Sequence, residues 1–149
     1  MIEPNDRIIL LHADREYFVR AGAGKLSTDL GMIDLPALVG LGPGDVITSH
    51  LGTPFHIRIP RPTDFFSHAR RSGAPMLPKD IGMVIALTGM NGRDTVLDAG
   101  TGSGIASIFF GGVARSVTTY EIREDFARKA EINIQEAKLN NVTVIAGDV

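Results

Sequence analysis

Three features that separate broad classes of protein are missing from this sequence: cysteine, a long apolar run and an excess of positive charge. Without any cysteine among its 149 residues, the chain forms no disulfide and no thiolate metal site, and it fits a reducing compartment. No apolar run approaches the ~20 residues of a membrane span, and the N-terminus lacks the apolar core of a signal peptide. A formal net charge of −2 is unlike that of a generic nucleic-acid binder. These absences predict a cytoplasmic protein with no membrane segment.

The most informative stretch is residues 98–104, which read Asp-Ala-Gly-Thr-Gly-Ser-Gly. A strand-like run at 95–97 precedes it, and a helix-like run at 105–110 follows it. A strand, a glycine turn and a helix start form the nucleotide-binding corner of a Rossmann-like sheet. Glycines let the backbone approach a ligand, and free N–H groups at a helix start favour an anionic group. The alternative interpretation is an ordinary tight turn between a strand and a helix.

Two common nucleotide-binding signatures are absent at this turn. The dinucleotide fingerprint needs a third glycine three residues after the second, but the chain has Ile105 or Ser107 there, counted from Gly102 or Gly104. No Gly-Lys-Ser/Thr follows, so the turn is not a P-loop. The pattern instead resembles motif I of the class I S-adenosylmethionine-dependent methyltransferases.

Acidic residues end three successive predicted strands. The first strand leads to Asp98, a second at 117–120 leads to Glu121, and a third at 142–145 is followed by Asp148. An amphipathic helix from Arg123 to Leu139 is predicted between the second and third strands. Glu121 lies close to the ~20-residue offset at which an acid takes ribose hydroxyls in such folds. One acid at a strand end is ordinary capping, but three in succession indicate a binding site.

The first 60 residues differ in sequence pattern from the rest of the chain, because short strand-like runs alternate with glycine turns. The runs are at 7–11, 16–20, 25–28, 31–34, 46–49 and 55–59. Pro60-Arg61-Pro62-Thr63 reads as a linker, followed by short helices near 64–69 and 78–89. The predicted fold is therefore α/β: a small all-β module over residues 1–60, then the first half of a Rossmann-like methyltransferase sheet over residues 61–149.

A cluster of arginines surrounds the predicted linker. Arg58, Arg61, Arg70 and Arg71 lie between positions 55 and 75, where Asp64 is the only acid. One interpretation is a local patch that contacts phosphates, and the other is a solvated loop with ordinary salt bridges. Both interpretations remain open for each arginine.

One longer pattern resembles a known family. The segment 70–80, which contains Pro78-Lys79-Asp80, followed by the glycine motif, is similar to the archaeal type of tRNA (adenine-N1)-methyltransferase. The resemblance is close from about Pro62 to Val149 and looser before Pro60. Pro75 stands where that family usually has Gln, and Leu77 stands where it usually has Tyr.

The resemblance implies methyl transfer from S-adenosylmethionine to adenine N1 of tRNA, in a protein that forms a homo-oligomer when full length. It implies that Asp98 binds the cofactor's methionine ammonium group, that Glu121 binds the ribose hydroxyls and that Asp148 binds the adenine amino group. The expected cofactor-binding residues are Met76, Leu77, Asp98, Gly100, Thr101, Gly102, Ser103, Gly104, Glu121 and Asp148. The four arginines are the candidates for contact with RNA.

The resemblance also implies that the catalytic carboxylate comes from a strand after Val149. On that basis the 149-residue chain is expected to be the N-terminal half of an enzyme and inactive alone. Two alternatives remain open. One is another class I methyltransferase, such as a protein isoaspartate methyltransferase. The other is a non-catalytic partner subunit that binds RNA.

Overall fold

The computed structural model describes residues 1–149 and divides into two compact units, Met1–Pro60 and Arg61–Val149. Each unit has its own strands, so the two are described separately. None of the helices combines the length and apolar character that crossing a membrane requires.

The first unit is built almost entirely of short antiparallel strands. They are β1 (Arg7–His12), β2 (Arg15–Arg20), β3 (Lys25–Thr28), β4 (Gly31–Asp34), β5 (Val46–Thr48) and β6 (Pro54–Arg58). The main sheet has the order β2-β1-β6-β5, and β3 pairs with β4 in a separate hairpin. Ile8, Ile33, Phe55 and neighbouring apolar side chains form its core. The predicted β character of this region is confirmed.

The second unit alternates helices with parallel strands. Its elements are α1 (Pro62–His68), α2 (Pro78–Thr88), β7 (Thr95–Ala99), α3 (Ile105–Gly111), β8 (Ser116–Glu121), α4 (Glu124–Glu136) and β9 (Val142–Ala146). The strands lie in the order β7-β8-β9 and are parallel throughout. Helices α3 and α4 are the crossover connections. The predicted α/β fold with a Rossmann-like sheet is confirmed.

Helix α4 follows the apolar periodicity of the sequence. Ala127, Ala130 and Ile134 recur at helical spacing and are buried. The helix begins at Glu124 and ends at Glu136, so the predicted end near Leu139 was three residues too far. Lys138 adopts a positive φ of 56°, a conformation that stops a right-handed helix.

Helix α1 begins earlier than the sequence indicated. Pro62 is its first residue, because a proline at this position has a suitable φ and its missing N–H is not needed. The Asp64 carboxylate accepts a hydrogen bond from the Arg61 backbone N–H at 2.6 Å. Asp64 therefore stabilises the start of the helix from inside its first turn, and the predicted linker is shorter than four residues.

Adjacent glycines at the end of α3 provide a test of the packing between α3 and β9. A Cβ at Gly111 would lie 2.5 Å from Val142 Cγ2, whereas Gly112 has φ −73° and only ordinary contacts. We expect Gly111→Ala to lower the free energy of unfolding by about 1–2 kcal/mol, because Val142 must move. Gly112→Ala is the matched control and should change it by less than about 0.5 kcal/mol. Urea unfolding followed by circular dichroism measures both, and equal effects would contradict the packing described.

Candidate cofactor site

The turn between β7 and α3 is held open by glycines in the left-handed region. Gly100, Gly102 and Gly104 have φ values of 79°, 57° and 83°. A Cβ at Gly100 would meet nothing within 4 Å, and one at Gly102 would meet only the Ser72 carbonyl oxygen at 3.7 Å. The backbone on this side of the turn is therefore open to a ligand.

Gly104, unlike Gly100 and Gly102, is packed closely against a neighbouring helix. A Cβ there would lie 3.2 Å from Ala130 Cβ, on helix α4. Gly104 is buried and is the residue before the first turn of α3. Its small size allows α3 and α4 to approach each other, and it lines neither of the two cavities described below.

Glu121 fixes this turn from the neighbouring strand. It is the last residue of β8 and is only 6% exposed. Its carboxylate accepts hydrogen bonds from the backbone N–H of Gly102 at 2.9 Å and of Arg123 at 3.0 Å. A buried carboxylate is stable only when hydrogen-bond donors compensate for its lost hydration. Hydrogen bonds to a charged carboxylate are stronger than those between neutral groups. Glu121 thereby connects the glycine turn to the start of α4.

Asp98 lies beside this turn, within β7. Its carboxylate accepts hydrogen bonds from the Thr119 hydroxyl at 2.9 Å and the Ser107 hydroxyl at 3.4 Å. The Thr119 hydroxyl also lies within hydrogen-bond distance of Thr101 in the glycine turn. The carboxylate is thus held in one orientation at the floor of a cavity.

Two cavities meet at the start of the turn. The larger has a volume of about 370 Å³, and its lining includes Met76 from the segment before α2, together with Asp98 and residues 99–103. The smaller, of about 160 Å³, is lined partly by Glu121 and Asp148. Because Ala99 and Gly100 line both, one elongated ligand is able to contact both acidic ends of the site.

Two buried hydroxyls in the larger cavity lack a partner. Ser72 and Ser103 are 6% and 2% exposed, and neither Oγ makes a hydrogen bond within the protein. Buried polar atoms are nearly always satisfied, so each hydroxyl has a hydrogen-bonding requirement that the protein itself does not meet. Two hydroxyls and a carboxylate beside an open backbone fit the charged amino-acid end of S-adenosylmethionine. The residues present are therefore compatible with the expected cofactor.

The other predicted cofactor residues fall in different places. Met76 lines the larger cavity, Asp148 lines the smaller one, and Thr101 is 7% exposed and lines the larger one. Leu77 precedes the first residue of α2, is 47% exposed and lines neither cavity. No group of three or more acidic or histidine side chains is arranged to hold a metal ion.

The four predicted RNA-contacting arginines are divided between the two units. Arg58 ends β6 in the first unit, while Arg61, Arg70 and Arg71 belong to the second. Arg71 stacks on Phe66, with its guanidinium carbon 4.8 Å from the ring centroid, and donates a hydrogen bond to the Phe66 carbonyl oxygen. Arg70 is exposed on the segment that lines the larger cavity.

Sequence reasoning missed Ser72, Ser107, Thr119 and Asn133. Asn133 is 1% exposed, and its amide donates hydrogen bonds to the carbonyl oxygens of Arg70 and Ser103. One signal was present in the sequence: Asn133 is a polar residue on the apolar face of α4, between Ala130 and Ile134. A polar side chain on a buried face indicates a specific partner.

The fold and this site define the class as that of the class I S-adenosylmethionine-dependent methyltransferases. Comparison with family models supports this class independently. Residues 72–149 match the model of the protein-L-isoaspartate(D-aspartate) O-methyltransferase (PCMT) family. The chain belongs to this methyltransferase family.

Curated relatives carry two different names. The tRNA (adenine(57)-N(1)/adenine(58)-N(1))-methyltransferase TrmI of Methanocaldococcus jannaschii is 32% identical over 131 residues, covering 86% of this chain and 45% of the relative. The TrmI of Thermus thermophilus is 33% identical over 108 residues, covering 70% and 42%. The protein-L-isoaspartate O-methyltransferase of Ruegeria is 35% identical over 71 residues, covering 48% and 33%. The chain spans less than half the length of each of these relatives.

Solved structures match both units. A SAM-dependent O-methyltransferase from Thermotoga maritima superposes with a TM-score of 0.86 and 30% identity, covering 99% of this chain and 57% of that one. The tRNA (m1A58) methyltransferase TrmI from Aquifex aeolicus gives a TM-score of 0.79 at 22% identity, covering 99% and 59%. The second match shows the fold alone.

Proposed function

We propose that this chain is the cofactor-binding part of a tRNA (adenine-N1)-methyltransferase. The supporting observation is the extent of the similarity. A relative with that name matches 86% of the chain, more than the second unit alone supplies, so the similarity reaches into Met1–Pro60. The isoaspartate methyltransferase relative matches only 48%. The first unit therefore favours the tRNA-modifying relatives, and we assign to it tRNA docking or subunit contact.

In this proposal, the methionine part of the cofactor binds in the larger cavity. Asp98 would bind the ammonium group directly or through water, and the unpaired hydroxyls of Ser72 and Ser103 would satisfy the remaining polar atoms. The open backbone from Gly100 to Gly102 allows close approach. The bound cofactor supplies an electrophilic methyl group, so the task of the protein is positioning.

The nucleoside end of the cofactor belongs in the smaller cavity. Glu121 already accepts two backbone hydrogen bonds, but a carboxylate has about four acceptor positions, so two remain for ribose hydroxyls. Asp148 lines the same cavity and would accept from the adenine amino group. The Gly147 backbone N–H donates to the Glu121 carbonyl oxygen at 2.9 Å, which places Asp148 next to the end of β8.

We propose that a few arginines bind the phosphates of the RNA substrate. Because the net charge is −2, contact with phosphates depends on a few placed arginines, and Arg58, Arg61, Arg70 and Arg71 are the candidates. Adenine N1 is buried in paired or stacked RNA, so the target base must be extruded before transfer. A homo-oligomeric, cytoplasmic enzyme is part of the same proposal.

A methyl-transfer assay tests the function. With tritiated S-adenosylmethionine and unmodified tRNA, we expect no transfer by the 149-residue chain and transfer to adenine N1 by a polypeptide extended beyond Val149. The physical reason is that Asp98, Glu121 and Asp148 are the only acidic residues that line the two cavities, and all three are assigned to the cofactor. Turnover by the 149-residue chain would contradict this assignment of residues.

A parallel assay separates the alternatives. An isoaspartyl peptide replaces tRNA under the same conditions, because the family model and several relatives carry the isoaspartate name. Methylation of the peptide but not of tRNA by the extended polypeptide would favour that alternative. Cofactor binding without transfer to either substrate would favour a non-catalytic partner subunit.

A further inference from the structure

The buried amide of Asn133 joins two segments that face different ligands in the proposed function. It lies on α4 and is 1% exposed. Its single amino group donates to the Ser103 carbonyl oxygen at 2.8 Å and to the Arg70 carbonyl oxygen at 2.9 Å. Ser103 belongs to the glycine turn, and Arg70 begins the segment that leads to α2. One side chain thus holds two loops that are distant in the sequence.

The segment from Arg70 to Met76 has no helix or strand of its own. Its exposed arginines are candidates for RNA contact, and Ser72 and residues 74–76 line the larger cavity. In this short segment the two arginines are therefore exposed to solvent, whereas residues that follow them line the cofactor site. Few internal hydrogen bonds fix such a segment, so an anchor from α4 has a large influence on its position.

Burying the Asn133 amide on the apolar face of α4 lowers stability unless the amide makes hydrogen bonds. Asparagine is a poor residue for the middle of a helix, and its neighbours on this face, Ala130 and Ile134, are apolar and buried. Its two hydrogen bonds satisfy carbonyl oxygens that lie in loops without other structure. An apolar residue would match the character of its neighbours on this face but would leave both carbonyl oxygens without this donor.

We propose that Asn133 is a positioning residue that couples cofactor binding to RNA binding, through the segment from Arg70 to Met76. This inference rests on the proposed function. A ligand in the larger cavity contacts this segment and the glycine turn, and Asn133 holds the two at a fixed separation. The cofactor then favours one arrangement of Arg70 and Arg71, and by linkage bound RNA raises cofactor affinity by the same factor.

The experiment measures this coupling directly in the full chain. The dissociation constant of unmodified tRNA is measured by fluorescence anisotropy with and without saturating S-adenosylhomocysteine, and the cofactor analogue is titrated with and without tRNA. For the wild type we expect each ligand to raise the affinity for the other by about fivefold or more. For Asn133→Leu we expect that factor to fall below about twofold.

Asn141→Leu is the matched control. Asn141 likewise uses its amide to bridge carbonyl oxygens, those of Gly111 and Ala114, but at the end of α3 away from both cavities. A merely structural role for Asn133 would make the two variants alike, with lower stability and unchanged coupling. Loss of coupling in Asn133→Leu alone supports the proposal, and equal coupling in both variants overturns it.

Hydrogen exchange provides a second measurement that does not depend on the folding of a variant. In the wild type, S-adenosylhomocysteine should increase the protection of amides between Arg70 and Met76, and absence of added protection overturns the proposal. If both ligands bind the wild type without coupling, this inference fails and the proposed function stands. If S-adenosylhomocysteine does not bind the wild type, the proposed function fails and the inference fails with it.

Discussion

Replacing Glu121 with alanine should weaken binding of S-adenosylhomocysteine by about tenfold to a hundredfold. Two losses combine in this variant. Hydrogen bonds to a charged group contribute about 1.5–3 kcal/mol, and the ribose hydroxyls lose their proposed acceptor. The Gly102 and Arg123 backbone N–H groups lose theirs as well, so the glycine turn is no longer fixed for the ligand. Isothermal titration calorimetry measures the change.

Two further variants test which loss dominates. Glu121→Gln keeps one carbonyl oxygen for the Gly102 N–H but removes the charge, so its affinity should lie between those of wild type and Glu121→Ala. Glu124→Ala, in the exposed first turn of α4, is the matched control and should leave the affinity within twofold of wild type. Unchanged affinity in Glu121→Ala would contradict the assignment of Glu121 to the ribose.

Replacing Gly104 with alanine should lower the free energy of unfolding by about 2–4 kcal/mol, the largest effect on stability that we expect in this turn. Alanine at a positive φ costs about 1–2 kcal/mol, and a Cβ 3.2 Å from Ala130 forces α3 and α4 apart. Urea denaturation gives the value, and Gly102→Ala is the matched control.

The control variant separates the two roles that glycine has in this motif. Gly102 also has a positive φ, but its Cβ would meet only the Ser72 carbonyl oxygen at 3.7 Å. Gly102→Ala should therefore cost only about 1–2 kcal/mol of stability but should obstruct ligand approach to the backbone. A smaller loss of stability in Gly104→Ala than in Gly102→Ala would show that α4 does not constrain the turn as described.

The sequence predicted the parts of this fold that depend on local pattern. Alternation and glycine turns located the strands of the first unit, and the stretch from Asp98 to Gly104 located the corner between β7 and α3. The order of the acids placed Glu121 at the end of β8, where the structure has it. These features were accessible because each depends on residues close together in the chain.

The features that the sequence did not reveal depend on contacts between distant segments. Asn133 meets Arg70 and Ser103 across 63 and 30 residues, and no local pattern indicates those partners. The same is true of Gly104, which belongs to the glycine motif but packs against Ala130. Local rules also place the start of α1 too late, because Pro62 is assigned to the predicted linker whereas it is the first helical residue.

A crystal structure with S-adenosylhomocysteine would show whether the two cavities form one cofactor site. We expect density for the amino-acid end beside Asp98, Ser72 and Ser103, and for the ribose within hydrogen-bond distance of Glu121. Density elsewhere on the chain, or none at a concentration that saturates binding in solution, would contradict it.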